Sequence, residues 1–207
     1  MSVFRSSFSC FSYFYTMASA IDISKTYNYS DYQTWSDEER WEIIEGVPYN
    51  MSPAPSTRHQ RILGELHIAF RSVVRKPCEV FLSPFDVRLS ESYDEEVTIE
   101  NVVQPDLLVY CDKAKVDEKG GKGAPDLVVE ILSPSTASKD IKTKLLLYQK
   151  FGVREYWIID PDKDTVEILS LDEKGRYVIR QREEKEGTVE SIHFKGLKVE
   201  LTALFSE

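Results

Sequence analysis

Apolar residues in this chain recur at two spacings, which predict strands and helices along the sequence. Two short apolar runs, residues 104–110 and 125–132, each contain acidic side chains. Runs of about four to eight residues rich in Val, Ile, Leu and Tyr are typical of buried strands. A carboxylate inside such a strand needs a compensating partner, because an unpaired buried charge is strongly unfavourable. Asp106 and Glu130 are therefore the first candidates for a functional site.

One long amphipathic helix is predicted before the first of these apolar runs. Apolar residues at helical spacing place it from about residue 57 to about residue 75. Ser56 or Thr57 is the expected N-cap, and Pro77 ends the helix. His59 then lies in its first turn, where it contacts either a phosphate or solvent.

A second helix is predicted after the second apolar run. Residues 133–136 are expected to cap it, and it runs to about Phe151 with Gly152 as C-terminal cap. Lys144 falls inside the apolar stripe of this helix, next to Tyr148. A lysine at that position either reaches a buried negative charge or extends along the stripe to solvent.

The remaining segments predict further strands, which lie at residues 41–51 (two strands around a Glu-Gly turn), 79–89 (interrupted by a proline), 155–160, 165–171, 176–182 and 188–194. Residues 112–123 are charged and glycine-rich, which predicts a mobile connection. The order of elements predicts an α/β protein with a mixed β-sheet flanked by helices.

The length of the chain and its N-terminal segment indicate the domain organisation. The chain of 207 residues is long enough for one domain with a sizeable core. Residues 1–20 end in a sequence that weakly resembles a signal-cleavage site, but we expect them to be an extension outside the fold, with Met17 as the native start. Residues 21–207 are expected to form a single domain. No apolar run reaches the roughly 18 residues of a membrane span, so no membrane association is expected.

Charge and cysteine content narrow the function classes. The net charge of −9 argues against a protein that coats nucleic acid non-specifically. A nuclease stays open, because basic residues are concentrated in residues 57–76 and 136–155. Cys10, Cys78 and Cys111 show no zinc-binding spacing, and their odd number favours a reduced, cytoplasmic protein.

The two strand carboxylates point to phosphodiester chemistry. Hydrolysis of a phosphodiester needs charge neutralisation and an activated water, and Mg²⁺ held by one or two carboxylates supplies both. The alternative is that Asp106 and Glu130 are buried carboxylates satisfied by the backbone or by arginine. Glu42 or Glu45 is a further candidate to complete the metal shell, unless both face solvent.

Several motifs, in order, resemble a bacterial protein family. They are WEIIEG at 41–46, MSP at 51–53 with HQ at 59–60, QPD at 104–106, GAPDLVVEILSPST at 123–136, Lys144-Leu145 with Tyr148, and GVREYWIIDP at 152–161. Over roughly residues 30 to 200, the chain resembles the Uma-two family of restriction-endonuclease-like proteins, in the PD-(D/E)XK nuclease superfamily.

The resemblance implies a restriction-endonuclease-like mixed β-sheet flanked by helices, with an additional N-terminal hairpin and C-terminal strands. Asp106 matches the aspartate of the PD element, and Glu130 matches the acidic residue of (D/E)XK. Leu132 stands where that element has lysine, and Lys144 on the following helix is the matching position. The implied catalytic residues are Asp106, Glu130 and Lys144, the implied metal ligands Asp106 and Glu130, and the supporting residues Glu42, His59 and Tyr148.

The leading hypothesis is therefore a metal-dependent endonuclease that hydrolyses DNA phosphodiester bonds with Mg²⁺ or Mn²⁺. Such enzymes often use two sites to cut two strands, so a homodimer is expected, with residues 165–194 and the edge strands at its interface. The alternative is a catalytically inactive nuclease-fold protein that acts as a binding or regulatory partner, which the net charge of −9 favours. A third hypothesis is hydrolysis of RNA or a nucleotide.

Overall fold

The structure is a computed structural model that describes residues 21–36, 39–51, 55–93, 95–133 and 140–206. The expected N-terminal extension, residues 1–20, lies outside the described residues. In the described part of the chain, the α-helices are α1 (Tyr29–Tyr32), α2 (Thr57–Val73), α3 (Asp140–Phe151) and α4 (Leu201–Leu204). The strands there are β1 (Trp41–Ile44), β2 (Val47–Asn50), β3 (Glu79–Leu82), β4 (Val87–Arg88), β5 (Val102–Val103), β6 (Leu107–Tyr110), β7 (Val116–Asp117), β8 (Gly120–Lys122), β9 (Leu127–Ile131), β10 (Glu155–Asp160), β11 (Thr165–Leu171), β12 (Tyr177–Glu184), β13 (Thr188–Glu190) and β14 (Lys198–Glu200).

The central sheet has the strand order β12-β11-β10-β9-β6-β3. β9 and β10 are parallel, and the other neighbours are antiparallel, so the sheet is mixed, as predicted. Leu107 and Val129 pack with α2 and α4 on one face. Leu108 and Val128 pack with α3 and the second sheet on the other face. Successive strand side chains alternate between faces, so even-numbered positions of β6 and β9 point towards α3.

A second sheet, in the order β2-β1-β5-β4-β8-β7, covers that second face. Its first hairpin is the predicted one, and β1 pairs with β2 from Trp41 opposite Asn50 to Ile44 opposite Val47. Glu45 and Gly46 form the turn, with φ angles of 51° and 77°. Positive φ at both central residues suits the right-handed twist of a two-residue hairpin.

Residues 112–123 are the main correction to the predicted fold. We expected a mobile connection, but the segment forms β7 and β8, and β8 pairs in parallel with β4. A Cβ on Gly120 would lie 2.3 Å from the main-chain oxygen of Asp86, and one on Gly121 would lie 2.2 Å from the hydroxyl of Tyr110. The glycines therefore serve close backbone approach rather than mobility.

α2 begins and ends close to the predicted residues, and α3 ends at Phe151, as predicted. Ser56 caps α2 by accepting a hydrogen bond from the main-chain N–H of His59 (3.2 Å), and α2 ends at Val73, before Pro77. Gly152 follows α3 with a φ of 81°, and the N–H of the next residue, Val153, bonds back into the last helical turn. Of the residues expected to cap α3, positions 134–136 lie outside the described residues.

Cys78 and Cys111 form a disulfide bond, which corrects the expectation of reduced cysteines. They are separated by 33 residues in sequence. Glu79 lies opposite Tyr110 in the antiparallel pair of β3 and β6, so the next residues along each strand also face each other. This proximity depends on strand register, which cysteine spacing alone does not reveal.

The C-terminal region contains the predicted strands and two elements that the sequence pattern missed. β11 and β12, at the predicted strand positions, pair as an antiparallel hairpin, and β13 pairs with β14. α4 follows β14 directly and packs its Leu201 and Leu204 against the α2 face of the central sheet. Among the described residues, no helix is long and apolar enough to cross a membrane. The cytoplasmic location stays a prediction.

Candidate active site

Asp106 and Glu130 lie opposite each other on neighbouring strands. Leu107 pairs with Val129 in the antiparallel ladder of β6 and β9, and the same register sets Asp106, the residue before β6, opposite Glu130. Directly opposed side chains of an antiparallel pair share one face and have Cβ atoms about 5 Å apart. Two carboxylates from distant parts of the sequence therefore meet on the face that carries α3.

The neighbouring strand, β9, holds the Asp106 carboxylate in place. Oδ2 of Asp106 accepts a hydrogen bond from the main-chain N–H of Ile131 (2.8 Å). Oδ1 lies 3.3 Å from Nε2 of His59, which the first turn of α2 supplies. The Asp106 side chain is 18% exposed, so one edge of this site is open to solvent.

Glu130 is more enclosed. Its Oε1 accepts hydrogen bonds from Nζ of Lys144 (3.0 Å) and from the hydroxyl of Tyr148 (2.7 Å), both on α3. Burial raises the pKa of Glu130 to about 7; the charge of Lys144 opposes this, and the carboxylates of Asp106 and Glu42 add to it. One lysine charge therefore does not fully compensate the acidic groups around it.

Lys144 points inward, which resolves the two alternatives left by the helical pattern. Its side chain is 10% exposed, and its Nζ also lies 2.9 Å from Oε1 of Glu42 on β1. Burial opposes its charge, but the carboxylates of Glu130 and Glu42 outweigh burial and hold the pKa of Lys144 above its usual value. Lys144 is thus a buried ammonium shared between both sheets.

Glu42 is buried, contrary to the alternative of a solvent-facing position. Besides contacting Lys144, its Oε1 accepts a hydrogen bond from the main-chain N–H of Gln104 (2.7 Å). Glu45, the other early glutamate, is an exposed turn residue outside the site. Asp126 also stays outside, because it accepts a hydrogen bond from the main-chain N–H of Cys111 (2.6 Å) and pairs with Arg154.

His59 occupies the border between α2 and the carboxylates. Burial disfavours its charge, but Asp106 and then Glu130 outweigh burial and raise the pKa of His59. Its Nδ1 is buried and has no hydrogen-bond partner among the described residues. The ring therefore has one nitrogen bonded to the site and one whose bonding capacity is unused.

The donor set fits a magnesium-type ion. Mg²⁺ is usually held by one or two carboxylates and keeps waters or substrate phosphates as its other ligands. Asp106 and Glu130 supply two opposed carboxylates, and Oε2 of Glu130 accepts no hydrogen bond from the described residues. Within the same ranges, no group of three or more His, Cys, Asp or Glu side chains is arranged to hold a metal. That Glu42 or Glu45 completes the metal shell stays a prediction: Oε1 of Glu42 contacts Lys144, and Glu45 is an exposed turn residue.

The sequence did not predict that Gln104 holds other side chains of the site in place. Its main-chain N–H bonds Glu42, and its side chain bonds Arg40 and Asp86. The local signal was its place directly before Pro105 and Asp106, but its partners are distant in sequence. Leu132, which stands where the superfamily has lysine, packs as a partly buried apolar residue.

Comparison with known proteins adds a family and a structural neighbour. The model of Uma2, described as "Putative restriction endonuclease", matches residues 29–203. The search of curated proteins found no match. A crystal structure of "a putative nuclease belonging to DUF820" from Anabaena variabilis ATCC 29413 is similar, with a TM-score of 0.66 and 24% identity over 87% of this chain and 98% of that chain. At that identity, the likeness establishes the restriction-endonuclease-like fold alone.

Proposed function

The chain belongs to the Uma2 family, and from that membership we propose that it is a divalent-metal-dependent endonuclease that hydrolyses DNA phosphodiester bonds. One observation carries the proposal. Asp106 and Glu130 lie opposite each other, and Nζ of Lys144 lies 3.0 Å from Glu130. Two acids and one lysine from three separate segments thus meet, and this combination supports a metal-dependent phosphodiesterase.

In this proposal, Asp106 and Glu130 are the metal ligands, and Mg²⁺ or Mn²⁺ is the cofactor. Bound there, the ion supplies charge neutralisation at the phosphate and lowers the pKa of an attacking water. The main-chain N–H of Ile131 keeps Asp106 oriented by bonding one of its oxygens. Tyr148 orients Glu130 through its hydroxyl, so both ligands are fixed before substrate arrives.

Lys144 acts as the cation that stabilises the charge developing on the phosphate. Its raised pKa keeps it an ammonium at neutral pH. Glu42, on the second sheet, also binds it, which limits its freedom to move away from the site. His59 lies at the open edge beside Asp106, where it is able to hold or pass a proton.

A second candidate function has its own supporting observation. The contacts of Lys144 with Glu130 and Glu42 neutralise much of the site without any metal. A buried ion network of this kind also suits a nuclease-fold protein that binds a partner and no longer cuts. The net charge of −9 agrees with that function.

Cleavage of supercoiled plasmid separates the two functions. We expect the wild-type protein to nick DNA with Mg²⁺ or Mn²⁺ and to be inactive in EDTA. Asp106→Asn should lower the rate by a factor on the order of 10² or more, because one metal ligand is lost. Asp172→Asn is the matched control: this aspartate lies in the β11–β12 turn and accepts N–H bonds that asparagine also accepts. Failure of the wild type to cut with either ion would favour the binding protein.

A further inference from the structure

A cavity of about 570 Å³ opens beside the candidate active site. Its walls include the aromatic rings of Tyr32, Trp35, Trp41 and Phe85, and its polar lining includes Arg40 and Asp86. Ligand sites of this volume commonly combine apolar and aromatic walls with a few placed polar groups. None of the roles assigned above to the carboxylates and Lys144 uses this cavity.

The aromatic wall is a connected set of rings. The ring centroids of Tyr32 and Trp35 are 5.5 Å apart, and those of Trp35 and Trp41 are 5.9 Å apart. Tyr27 contacts Trp35 edge-on at 5.2 Å and supports it from behind. Trp35 remains partly exposed, so its ring is available to a planar ligand. Such platforms stack nucleobases of any sequence, since every base has a π-face.

The polar lining is held by Gln104. Its Oε1 accepts hydrogen bonds from Nε and Nη2 of Arg40 (3.1 and 2.6 Å). Its Nε2 donates to Oδ1 of Asp86 (2.8 Å) and to the hydroxyl of Tyr32 (3.0 Å). Among the described residues, nothing bonds Nη1 of Arg40 or Oδ2 of Asp86. A donor and an acceptor thus remain for a ligand that carries both, as the edges of nucleobases do.

The cavity and the candidate active site meet at one residue. Gln104 lines the cavity with its side chain and bonds Glu42 with its main-chain N–H. Asp106 is two residues further along, and two extended residues span at most about 7 Å. A base in this cavity would therefore belong to a nucleotide at, or next to, a phosphate bound by Asp106 and Glu130.

The charge of the lining indicates which part of a nucleic acid enters. Acidic side chains outnumber basic ones there: Glu39, Asp86, Asp117 and Glu118 against Arg40 and Lys119. This excess repels a phosphodiester but not an uncharged ring. The aromatic wall and acidic lining together favour a base that has left its stack, with its backbone outside.

We propose that this cavity receives an unstacked base of the nucleic acid, so that the substrate is single-stranded or locally unpaired DNA rather than intact duplex. The proposal rests on the proposed nuclease function for its substrate, but base binding itself requires no cleavage. Extruding a base costs least where it is mismatched or already single-stranded, which sets the preference.

Binding of oligonucleotides that contain 2-aminopurine, measured in EDTA, tests the proposal. The wild type should bind the single strand, and a duplex with one unpaired 2-aminopurine, at least about tenfold more tightly than the fully paired duplex. Binding should also change the fluorescence emission of the 2-aminopurine. Trp35→Leu, which fills space without a π-face, should weaken single-strand binding roughly tenfold, and Trp35→Phe should restore most of it. Ile68→Ala, at an exposed position of α2 outside the cavity lining, is the control and should bind as wild type does.

Each alternative result overturns the base site. Equal affinity of the wild type and Trp35→Leu for the single strand would show that the aromatic wall takes no part in binding. Cooperative unfolding of both proteins is the control that the variant is folded. Equal affinity for paired duplex and single strand would remove the requirement for an unstacked base. Binding of free 2-aminopurine riboside as tight as that of the oligonucleotide would assign the cavity to a nucleoside instead. Because no metal is present, base binding without cleavage would uphold this site even if the nuclease function failed.

Discussion

Lys144 and Glu130 form a buried ion pair, with Nζ 3.0 Å from Oε1 and side chains that are 10% and 12% exposed. Glu42 shares the same ammonium from the opposite sheet. A buried pair contributes little net stability compared with an apolar replacement of both partners, but removal of one partner leaves an uncompensated charge. Because of this asymmetry, a single substitution in the site should lower stability as well as activity, so both must be measured for each variant.

Replacement of Lys144 by methionine should lower both stability and cleavage. Two buried carboxylates lose their cation, so we expect a loss of about 3 kcal/mol in the free energy of unfolding. Urea denaturation measures it. The double variant Glu42→Gln/Lys144→Met should recover part of that stability and remain inactive. If the double variant regained activity together with stability, Lys144 would have only a structural role.

The stability of the metal-free protein should depend on Glu130 between about pH 4.5 and pH 7. Burial raises its pKa from 4.5 to about 7, so the folded state holds the proton more tightly than the unfolded state does. This contribution to stability is complete below the unfolded pKa and is lost as pH rises through the folded pKa. Urea unfolding in EDTA at several pH values should show a steeper decline for the wild type than for Glu130→Gln. Identical slopes would contradict the assignment.

Metal affinity should show the opposite trend with pH. The ion binds the ionised carboxylate, so proton release from Glu130 must accompany binding, and affinity for Mn²⁺ should increase up to about pH 7 and then level off. Titration calorimetry in two buffers of different ionisation enthalpy measures the released protons. Asp106→Asn and Glu130→Gln should each abolish the binding heat. Unchanged binding in both variants would exclude this site as the metal centre.

Glu155 is a carboxylate whose role we predict to be structural. It is fully buried and accepts hydrogen bonds from Nε1 of Trp157, Oγ of Ser191 and the main-chain N–H groups of Ile192 and His193. Glu155→Leu leaves these buried donors without a hydrogen-bond partner and should cost about 3 kcal/mol of unfolding free energy. Glu167→Gln, which breaks the more exposed pair with Arg182, should cost under about 1 kcal/mol. Equal losses would contradict this contrast.

Homodimer formation is the remaining prediction. β12 is one of the two edge strands of the central sheet, and Ile179 on it is 59% exposed. If this edge forms a two-fold interface, light scattering at micromolar concentration should give twice the mass of the 207-residue chain. Ile179→Lys should then give the monomer, because lysine on an edge strand opposes pairing. Ile68→Lys, at an exposed position of α2, is the control and should stay dimeric. A monomeric wild type would refute the interface.

Local pattern sufficed for those elements whose signals are local. The helix caps at Ser56 and Gly152, the Glu45-Gly46 turn and the buried strands that carry Asp106 and Glu130 lie close to where the sequence predicted them. Helical periodicity placed Lys144 in the apolar stripe but left its direction open, and its ion pair with Glu130 decides for the buried alternative.

What escaped prediction depends on contacts between distant segments. β8 looked like a flexible loop because glycine signals flexibility, whereas here it permits a backbone approach to Asp86 and Tyr110. Alternation along β1 left Glu42 either inside or outside, and only docking of the second sheet settles its burial. The disulfide of Cys78 with Cys111 likewise depends on register.

Gln104 joins two neighbouring sites by different parts of one residue. Its main-chain N–H bonds Glu42, and this donor survives every substitution except proline. Its side chain, not its main chain, bonds Arg40 and Asp86 at the cavity. Mutation at this codon is therefore able to retune what the cavity accepts while the carboxylate keeps its hydrogen bond, so recognition is free to diverge among descendants of this chain without loss of the inherited chemistry.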